Sequence, residues 1–305
     1  MNGKNLIILL GPTGVGKTAT SIAVSNRFNA PIVSADSRQF FREMRIGTAA
    51  PTKAQLEAAP HYLIGHKSIT ERYSCGMFEI EAISLLDDLF LNHQAVMLVG
   101  GSMLYIDAIC KGIDDFPAPD PELRKSLEDQ LNAEGIESIR AQLKLLDPEQ
   151  YNQTDLKNTK RLLKAVEVSL QTGKPYSSFL TSPRKERPFK QIKIGLNLPR
   201  EELYTMINAR VDQMINDGLV DEAKGLYPHR GHNALKTVGY REIFDYLDGN
   251  ISLEKAIELI KRNSRHYAKR QLTWWARDNE IEWFQPNEVS KISKYIEQCM
   301  NQKES

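Results

Sequence analysis

The stretch Gly11-Pro12-Thr13-Gly14-Val15-Gly16-Lys17-Thr18 constrains this chain more than any other. It satisfies G-x-x-x-x-G-K-[ST] at every fixed position, and the residues on either side suit it. Leu6-Ile7-Ile8-Leu9-Leu10 before it is an apolar run suited to a buried strand, and Ala19-Thr20-Ser21-Ile22-Ala23-Val24 after it can continue as a helix. In that setting the glycines let successive N–H groups point inward, and the helix start adds a favourable dipole for an anion. Lys17 is placed to reach an outer phosphate and the Thr18 hydroxyl to ligate Mg²⁺. This is the fingerprint of a nucleotide-binding, ATP-binding loop. It specifies a diphosphate or triphosphate group, and leaves open whether phosphate is transferred or only serves as a handle.

At 305 residues the chain has room for one large domain, or for a core with a smaller companion. Its net charge of +1 means that any nucleic-acid binding must come from local clustering. One cluster stands out: residues 261–277 hold six Lys or Arg and no acid. It reads either as a track for a phosphate backbone, with Trp274 and Trp275 as stacking groups, or as a solvated basic face with the tryptophans in the core. No apolar run approaches the ~20 residues needed to span a membrane. Cys75, Cys110 and Cys299 are far apart and in no metal-ligand spacing, which argues against zinc and suits a reducing cytoplasm. The six histidines form no HxxxH pair or triad-like arrangement, and no Asn-Lys-x-Asp stretch supports a GTPase.

Read in order, residues 4–113 alternate between strand and helix patterns. Strands are expected at 6–10, 31–36 and 96–101, and helices at 18–28, 78–90 and 102–111. Such alternation implies an α/β fold with a parallel sheet, whose ligands sit beyond the carboxyl ends of the strands. The phosphate loop, Asp36 and Ser102 all fall at such ends. Phe116-Pro117-Ala118-Pro119-Asp120-Pro121 breaks the pattern, since no helix runs through it. Only helices follow, at 121–133, 136–146 and 158–172, up to a second joint at 182–188. A strand at 191–198 then returns. The expected organisation is a first part of the core over 1–116, a helical insertion over 117–188, and core completion with C-terminal helices over 189–305. Those helices are expected at 200–217, 221–226, 240–247 and 252–277, with a short polar tail after Asn287.

Asp36 closes an apolar strand beside the phosphate loop. Two functional readings stand: a metal ligand of Walker-B type, or a general base in a partly desolvated cleft. A structural alternative is a helix N-cap for Ser37-Arg38-Gln39. Gly100-Gly101-Ser102 offers small residues and a hydroxyl at a strand end, a weak signal alone.

Taken together, the ordered motifs resemble those of the bacterial tRNA dimethylallyltransferase (tRNA isopentenyltransferase) family over nearly the whole chain. Beyond the phosphate loop they are Ser34-Ala35-Asp36-Ser37-Arg38-Gln39, Met44-Arg45-Ile46-Gly47-Thr48-Ala49, Val99-Gly100-Gly101-Ser102-Met103-Leu104-Tyr105 and Asp120-Pro121-Glu122-Leu123-Arg124. Further along come Lys160-Arg161-Leu162-Leu163-Lys164-Ala165-Val166-Glu167-Val168, Val238-Gly239-Tyr240-Arg241 and Ala268-Lys269-Arg270-Gln271-Leu272-Thr273-Trp274. The resemblance implies a phosphate-loop NTPase-like core. It implies transfer of a dimethylallyl group from dimethylallyl diphosphate to N6 of the adenosine 3′-adjacent to the anticodon of tRNA. Asp36 would then be the base, with Lys17, Thr18 and Ser102 completing the catalytic set. Gly11, Pro12, Thr13, Gly14, Val15, Gly16, Lys17, Thr18 and Arg241 would hold the diphosphate, with Mg²⁺ at Thr18. Asp36, Ser37, Arg38, Gln39 and Ser102 would meet the flipped base. Arg124, Lys160, Arg161, Leu162, Leu163 and Lys164, with Lys269, Arg270, Gln271, Thr273 and Trp274, would contact the anticodon stem-loop, which the insertion grips. A cytoplasmic monomer is expected.

The chain departs from the family's usual pattern at four positions. Ser102 stands where Thr is common, Phe41 ends a pattern that closes on Tyr, Arg38 replaces a smaller residue, and Lys164 replaces Arg and loses bidentate phosphate geometry.

Overall fold

The computed structural model describes residues 3–181 and 185–302, so Ser182, Pro183 and Arg184 of the second joint lie outside the described residues. The chain divides into two compact units, one from Met1–Cys110 and Glu186–Ser305, the other from Lys111–Lys185. The first unit is built on a six-stranded sheet of β1 (Asn5–Leu10), β2 (Ile32–Ser34), β3 (His61–Tyr62), β4 (Ala95–Gly100), β5 (Lys190–Leu196) and β6 (Glu282–Phe284). The order is β3-β2-β4-β1-β5-β6, and every neighbouring pair is parallel. Parallel pairing needs crossovers that cover both faces, so the central strand must be apolar on both sides. β1 meets that requirement: all six residues are buried. Leu6, Ile8 and Leu10 pack with Phe40, Phe78 and Leu98 on one face, and Ile7 and Leu9 pack with Val24, Met97 and Ile194 on the other.

Helices α1 (Lys17–Phe28), α2 (Lys53–Ala58), α3 (Cys75–Leu89) and α4 (Met103–Lys111) belong to the first half of the core. The second unit holds α5 (Pro121–Glu134), α6 (Ile136–Leu146), α7 (Pro148–Gln153) and α8 (Thr159–Thr172) around Leu127, Ile139, Leu143, Leu162 and Val166. Asp120 caps α5 by accepting from the N–H groups of Glu122 and Leu123, with Pro121 at the first helical position where a missing N–H costs nothing. The first unit resumes with α9 (Arg200–Asn216), α10 (Leu219–Leu226), α11 (Tyr240–Leu247) and α12 (Leu253–Trp275), packed around Leu219, Leu235, Tyr240, Ile243 and Ile260. No described helix is long and apolar enough to cross a membrane.

The last segment corrects the sequence expectation. Instead of a polar tail after Asn287, α13 (Val289–Asn301) buries Ile292, Ser293 and Ile296 against the face that holds Ile7 and Leu9. Its spacing is helical, with apolar residues at 292, 295, 296, 299 and 300 carried on one side of a polar sequence. The edge strands β3 and β6 were also not expected. They are two and three residues long, and the sheet pairs them on one side only.

Candidate active site

The carboxyl ends of β1, β2 and β4 bring together the phosphate loop, the Asp36 turn and Gly101. Between β1 and α1, Gly14 and Gly16 hold φ of 81° and 99°, a left-handed region closed to most side chains. Among the described residues nothing accepts from the N–H groups of Gly14, Gly16, Lys17 or Thr18. They stand at the start of α1 as donors for an anion. Lys17 turns back over the loop and donates to the carbonyls of Gly11 and Pro12, both at 2.8 Å. Burial, aided by Arg210, lowers its pKa to about 7, while the Asp36 carboxylate opposes the change.

Two cavities adjoin this loop. One, of about 560 Å³, is lined by Gly14, Gly16, Lys17 and Thr18, with Gln39, Ile46, Ala49 and Met206 among its other walls. The second, of about 330 Å³, is lined by Ser37, Arg38, Gly47, Thr48 and Gly239, with Ser264 among its other walls. Thr13, Asp36, Arg210, Met214 and Tyr267 line both. Asp36 therefore stands in the wall common to a phosphate site and a neighbouring pocket. Its Oδ1 accepts from the N–H of Arg38 at 3.0 Å, closing an Asx turn, and no helix follows it.

Ser102 lies behind that turn, buried and in neither cavity lining. Its hydroxyl accepts from the Ser37 N–H at 2.8 Å and donates to Ser37 Oγ at 3.0 Å. Its hydroxyl thus braces the Asp36 turn from behind. Arg38 lines the smaller cavity but anchors its guanidinium on the carbonyls of Asn233 and Ala234, both at 3.1 Å. Gln39 faces the larger cavity and donates to the carbonyls of Thr48 and Ala49.

Several other expected residues are placed differently. Gln271 is buried, accepts from the Thr13 N–H at 2.9 Å and donates to the Gly101 carbonyl at 2.7 Å, so it staples the phosphate loop to the end of β4 in the wall of the larger cavity. Leu162 and Leu163 are core residues of the second unit, 0% and 4% exposed, because they fall on the apolar face of α8. Their side chains are spent on the core of the unit, whereas Lys160 and Arg161 are exposed. Lys164 is half-buried, with its ammonium over the Phe116 ring. Arg124 is occupied by Glu128 at 2.9 Å and by the buried Glu167 at 3.0 Å. Arg241 lines neither cavity: it stands with Arg230, Arg262 and Asn263 around a separate depression, its side chain 54% exposed and 3.6 Å from Glu242. The two readings of the basic run divide within it. Lys261 and Arg265 are tied to Asp212 and Asn208 of α9, and Trp275 is core, whereas Arg262, Lys269, Arg270, Thr273 and Trp274 are exposed.

Arg210, Tyr267 and Thr48 were not anticipated. Arg210 Nη1 reaches Thr13 Oγ1 and Nη2 the Thr48 carbonyl, each at 3.3 Å. Burial works against its charge and Asp36 works for it. Tyr267 donates to the Gly101 carbonyl at 3.3 Å, and burial next to Asp36 pushes its hydroxyl up to about 12. Arg210 sits in a long helix with no distinctive neighbours in sequence, so only the fold brings it to the phosphate loop.

The residues present also suit Mg²⁺. Among the described residues no cluster of three or more His, Cys, Asp or Glu forms a metal cage. Mg²⁺ bound largely through substrate phosphates and water needs only one or two protein oxygens, and Thr18 lines the phosphate cavity with Asp36.

Residues 39–278 match the family model for IPP transferase. A tRNA dimethylallyltransferase 1 of Bacteroides fragilis is 52% identical over 297 residues, covering 97% of this chain and 99% of that protein. The crystal structure of the full-length tRNA isopentenylpyrophosphate transferase from Bacillus halodurans, 36% identical, superposes with a TM-score of 0.72 over 97% of both chains. A eukaryotic dimethylallyltransferase acting on tRNA, 25% identical, gives a TM-score of 0.78 over 97% of this chain and 77% of its own. Agreement this extensive, in sequence and in fold, makes this chain a member of the IPP transferase family.

Proposed function

We propose that the chain transfers a dimethylallyl group from dimethylallyl diphosphate to N6 of the adenosine 3′-adjacent to the anticodon of tRNA. The observation that carries the assignment is the position of Asp36, in a wall common to the phosphate cavity and the pocket beside it. The free N–H groups of the phosphate loop and Lys17 take the diphosphate, and Arg210 faces the same ligand from α9. The exposed adenosine of a single-stranded loop turns out of its stack and enters the smaller cavity without any duplex being melted.

N6 is a weak nucleophile because its lone pair is delocalised into the ring. As N6 bonds to C1 of the prenyl chain, the C1–O bond breaks and its electron pair leaves on the diphosphate. The N6 proton passes to the Asp36 carboxylate, which keeps the attacking lone pair available. Lys17, Arg210 and the loop N–H groups face the charge that develops on the leaving oxygen. Mg²⁺, when bound at Thr18, supplies further positive charge to the diphosphate. Lys160 and Arg161 of the helical unit, and Lys269, Arg270 and Trp274 of α12, are the exposed groups suited to phosphates and unstacked bases of the stem-loop. Arg241, with Arg230 and Arg262, adds positive charge at a depression apart from both cavities.

The test is incubation with labelled dimethylallyl diphosphate and an anticodon stem-loop carrying adenosine or guanosine at the target position. Label is expected on the adenosine loop alone. Transfer of phosphate from ATP with no prenyl transfer would replace this reading with that of a kinase.

A further inference from the structure

Glu222, on α10, accepts four hydrogen bonds on one carboxylate. Oε2 takes the N–H groups of Arg45 at 2.9 Å and Ile46 at 2.8 Å, and Oε1 takes the Gly47 N–H at 2.9 Å and the Tyr240 hydroxyl at 2.6 Å. Three consecutive N–H groups aimed at one point form an anion nest. Here the anion is a side chain of the same molecule, 175 residues from Gly47 in sequence. The Tyr240 ring lies so close to Gly47 that a Cβ there would come within 2.6 Å of it, so no larger residue fits. Burial and the Glu222 charge together raise the Tyr240 pKa far above its usual value, which keeps the hydroxyl a donor.

The clamped segment is the partition between the two cavities. Arg45, Ile46 and Ala49 line the larger one, and Gly47 and Thr48 line the smaller. The segment is also held in an unfavourable shape: Ala49 has φ of 45°, a left-handed conformation that a residue with a Cβ keeps only where its surroundings over-determine it. Gln39 and Arg210 supply part of that constraint through the carbonyls of Thr48 and Ala49. The Thr48 hydroxyl, donating to the Met44 carbonyl, and the Ala49 and Ala50 N–H groups, donating to the carbonyls of Ile46 and Arg45, hold the turn from within, and Glu222 fastens it to α10. Through Tyr240 it also fixes the start of α11, next to Val238 and Gly239 in the wall of the smaller cavity.

We propose that Glu222, which lines neither cavity, is a positioning residue that sets the spacing between the donor and acceptor pockets through residues 45–49. The inference rests on the prenyl-transfer reading above. Bond formation between two separately bound groups is steeply sensitive to their separation, and about 1 Å of misplacement costs on the order of 10²-fold in rate. Glu222→Gln preserves size but replaces one accepting oxygen with an NH₂ group that cannot accept, so part of the clamp must open.

Single-turnover prenyl transfer and binding of inorganic diphosphate are measured in parallel for wild type, Glu222→Gln and Tyr240→Phe. Diphosphate engages the phosphate loop and Arg210, neither of which Glu222 touches, and is expected to bind Glu222→Gln within about twofold of wild type. Transfer by that variant is expected to fall at least about tenfold, with a raised KM for dimethylallyl diphosphate. Tyr240→Phe, which removes one of the four bonds, is expected to lose about threefold in transfer and nothing in diphosphate binding. The two changes combined are expected to be no worse than Glu222→Gln alone. Normal transfer by both variants overturns the proposal. So does a parallel loss of transfer and diphosphate binding, which would mark Glu222 as a general support of the fold. Absence of transfer by wild type would instead remove the reading on which the proposal rests.

Discussion

Lys17 is a cation that the fold buries before any anion arrives. Its pKa of about 7, against an ordinary 10.5, means that the folded protein gives up this proton more readily than the unfolded chain does. Between those values the unfolded state binds more protons, so the Lys17 contribution to stability rises with pH from about 7 to 10.5 in the empty protein. A bound diphosphate restores the charge. Diphosphate affinity is therefore expected to fall above pH 7, by up to about tenfold per pH unit, relative to Lys17→Met titrated in parallel. Calorimetry in two buffers of different ionisation enthalpy should detect the accompanying proton uptake; identical pH profiles for the two proteins would refute it. At this scale the sequence was legible where a local motif specifies the backbone, as at the phosphate loop and the Asp36 turn. It was not legible where a side chain arrives from a distant helix. Arg210, Tyr267 and Glu222 act through tertiary neighbours, and Gln271 stands in a basic run that advertises RNA while its amide turns inward to Thr13 and Gly101.

Helix α8 shows how one element carries two tasks on two faces. Leu162 is fully buried and Arg161, next to it, is exposed. Leu162→Ala is expected to destabilise the helical unit by about 2–5 kcal/mol, as for a truncated core leucine, seen as a lowered denaturation midpoint. Arg161→Ala should leave that midpoint in place and weaken stem-loop binding, with the slope of log K against log salt reduced by roughly 0.7–0.9. An equal loss of stability in both variants would contradict this division. The same amphipathic logic explains which elements were legible. The apolar runs of β1, β4 and β5 exceed what a loop tolerates, and the Asp120-Pro121 pair marks the start of α5. The pairs and triplets at β3 and β6 are too short for a period to show. α13 was missed because Ile292 and Ile296 are diluted among Lys, Ser and Glu, although they seal one face of the sheet. Ile296→Asp places a charge in that sealed layer and is expected to cost several kcal/mol, read by thermal melting.

At the scale of the whole molecule, a net charge of +1 gives no general attraction for RNA. Binding should depend on a few placed cations, and its salt dependence should be correspondingly shallow, equivalent to a handful of phosphates. The architecture as a whole was readable because a phosphate loop at the end of a buried strand demands a parallel sheet around it. The partition between the two cavities was not, because it is assembled from Gly47, Ala49, Arg210, Glu222 and Tyr240, which no contiguous pattern joins. This assembly presents a prenyl diphosphate and a flipped adenosine to one carboxylate, on the reading proposed above. The most direct test of that reading is single-turnover transfer of labelled dimethylallyl diphosphate to the anticodon stem-loop by wild type and Asp36→Asn, with stem-loop binding measured alongside. Asp36→Asn is expected to bind the stem-loop as wild type does but to transfer about 10²-fold more slowly or worse, as for loss of a general base. Transfer at the wild-type rate by Asp36→Asn would contradict the reading.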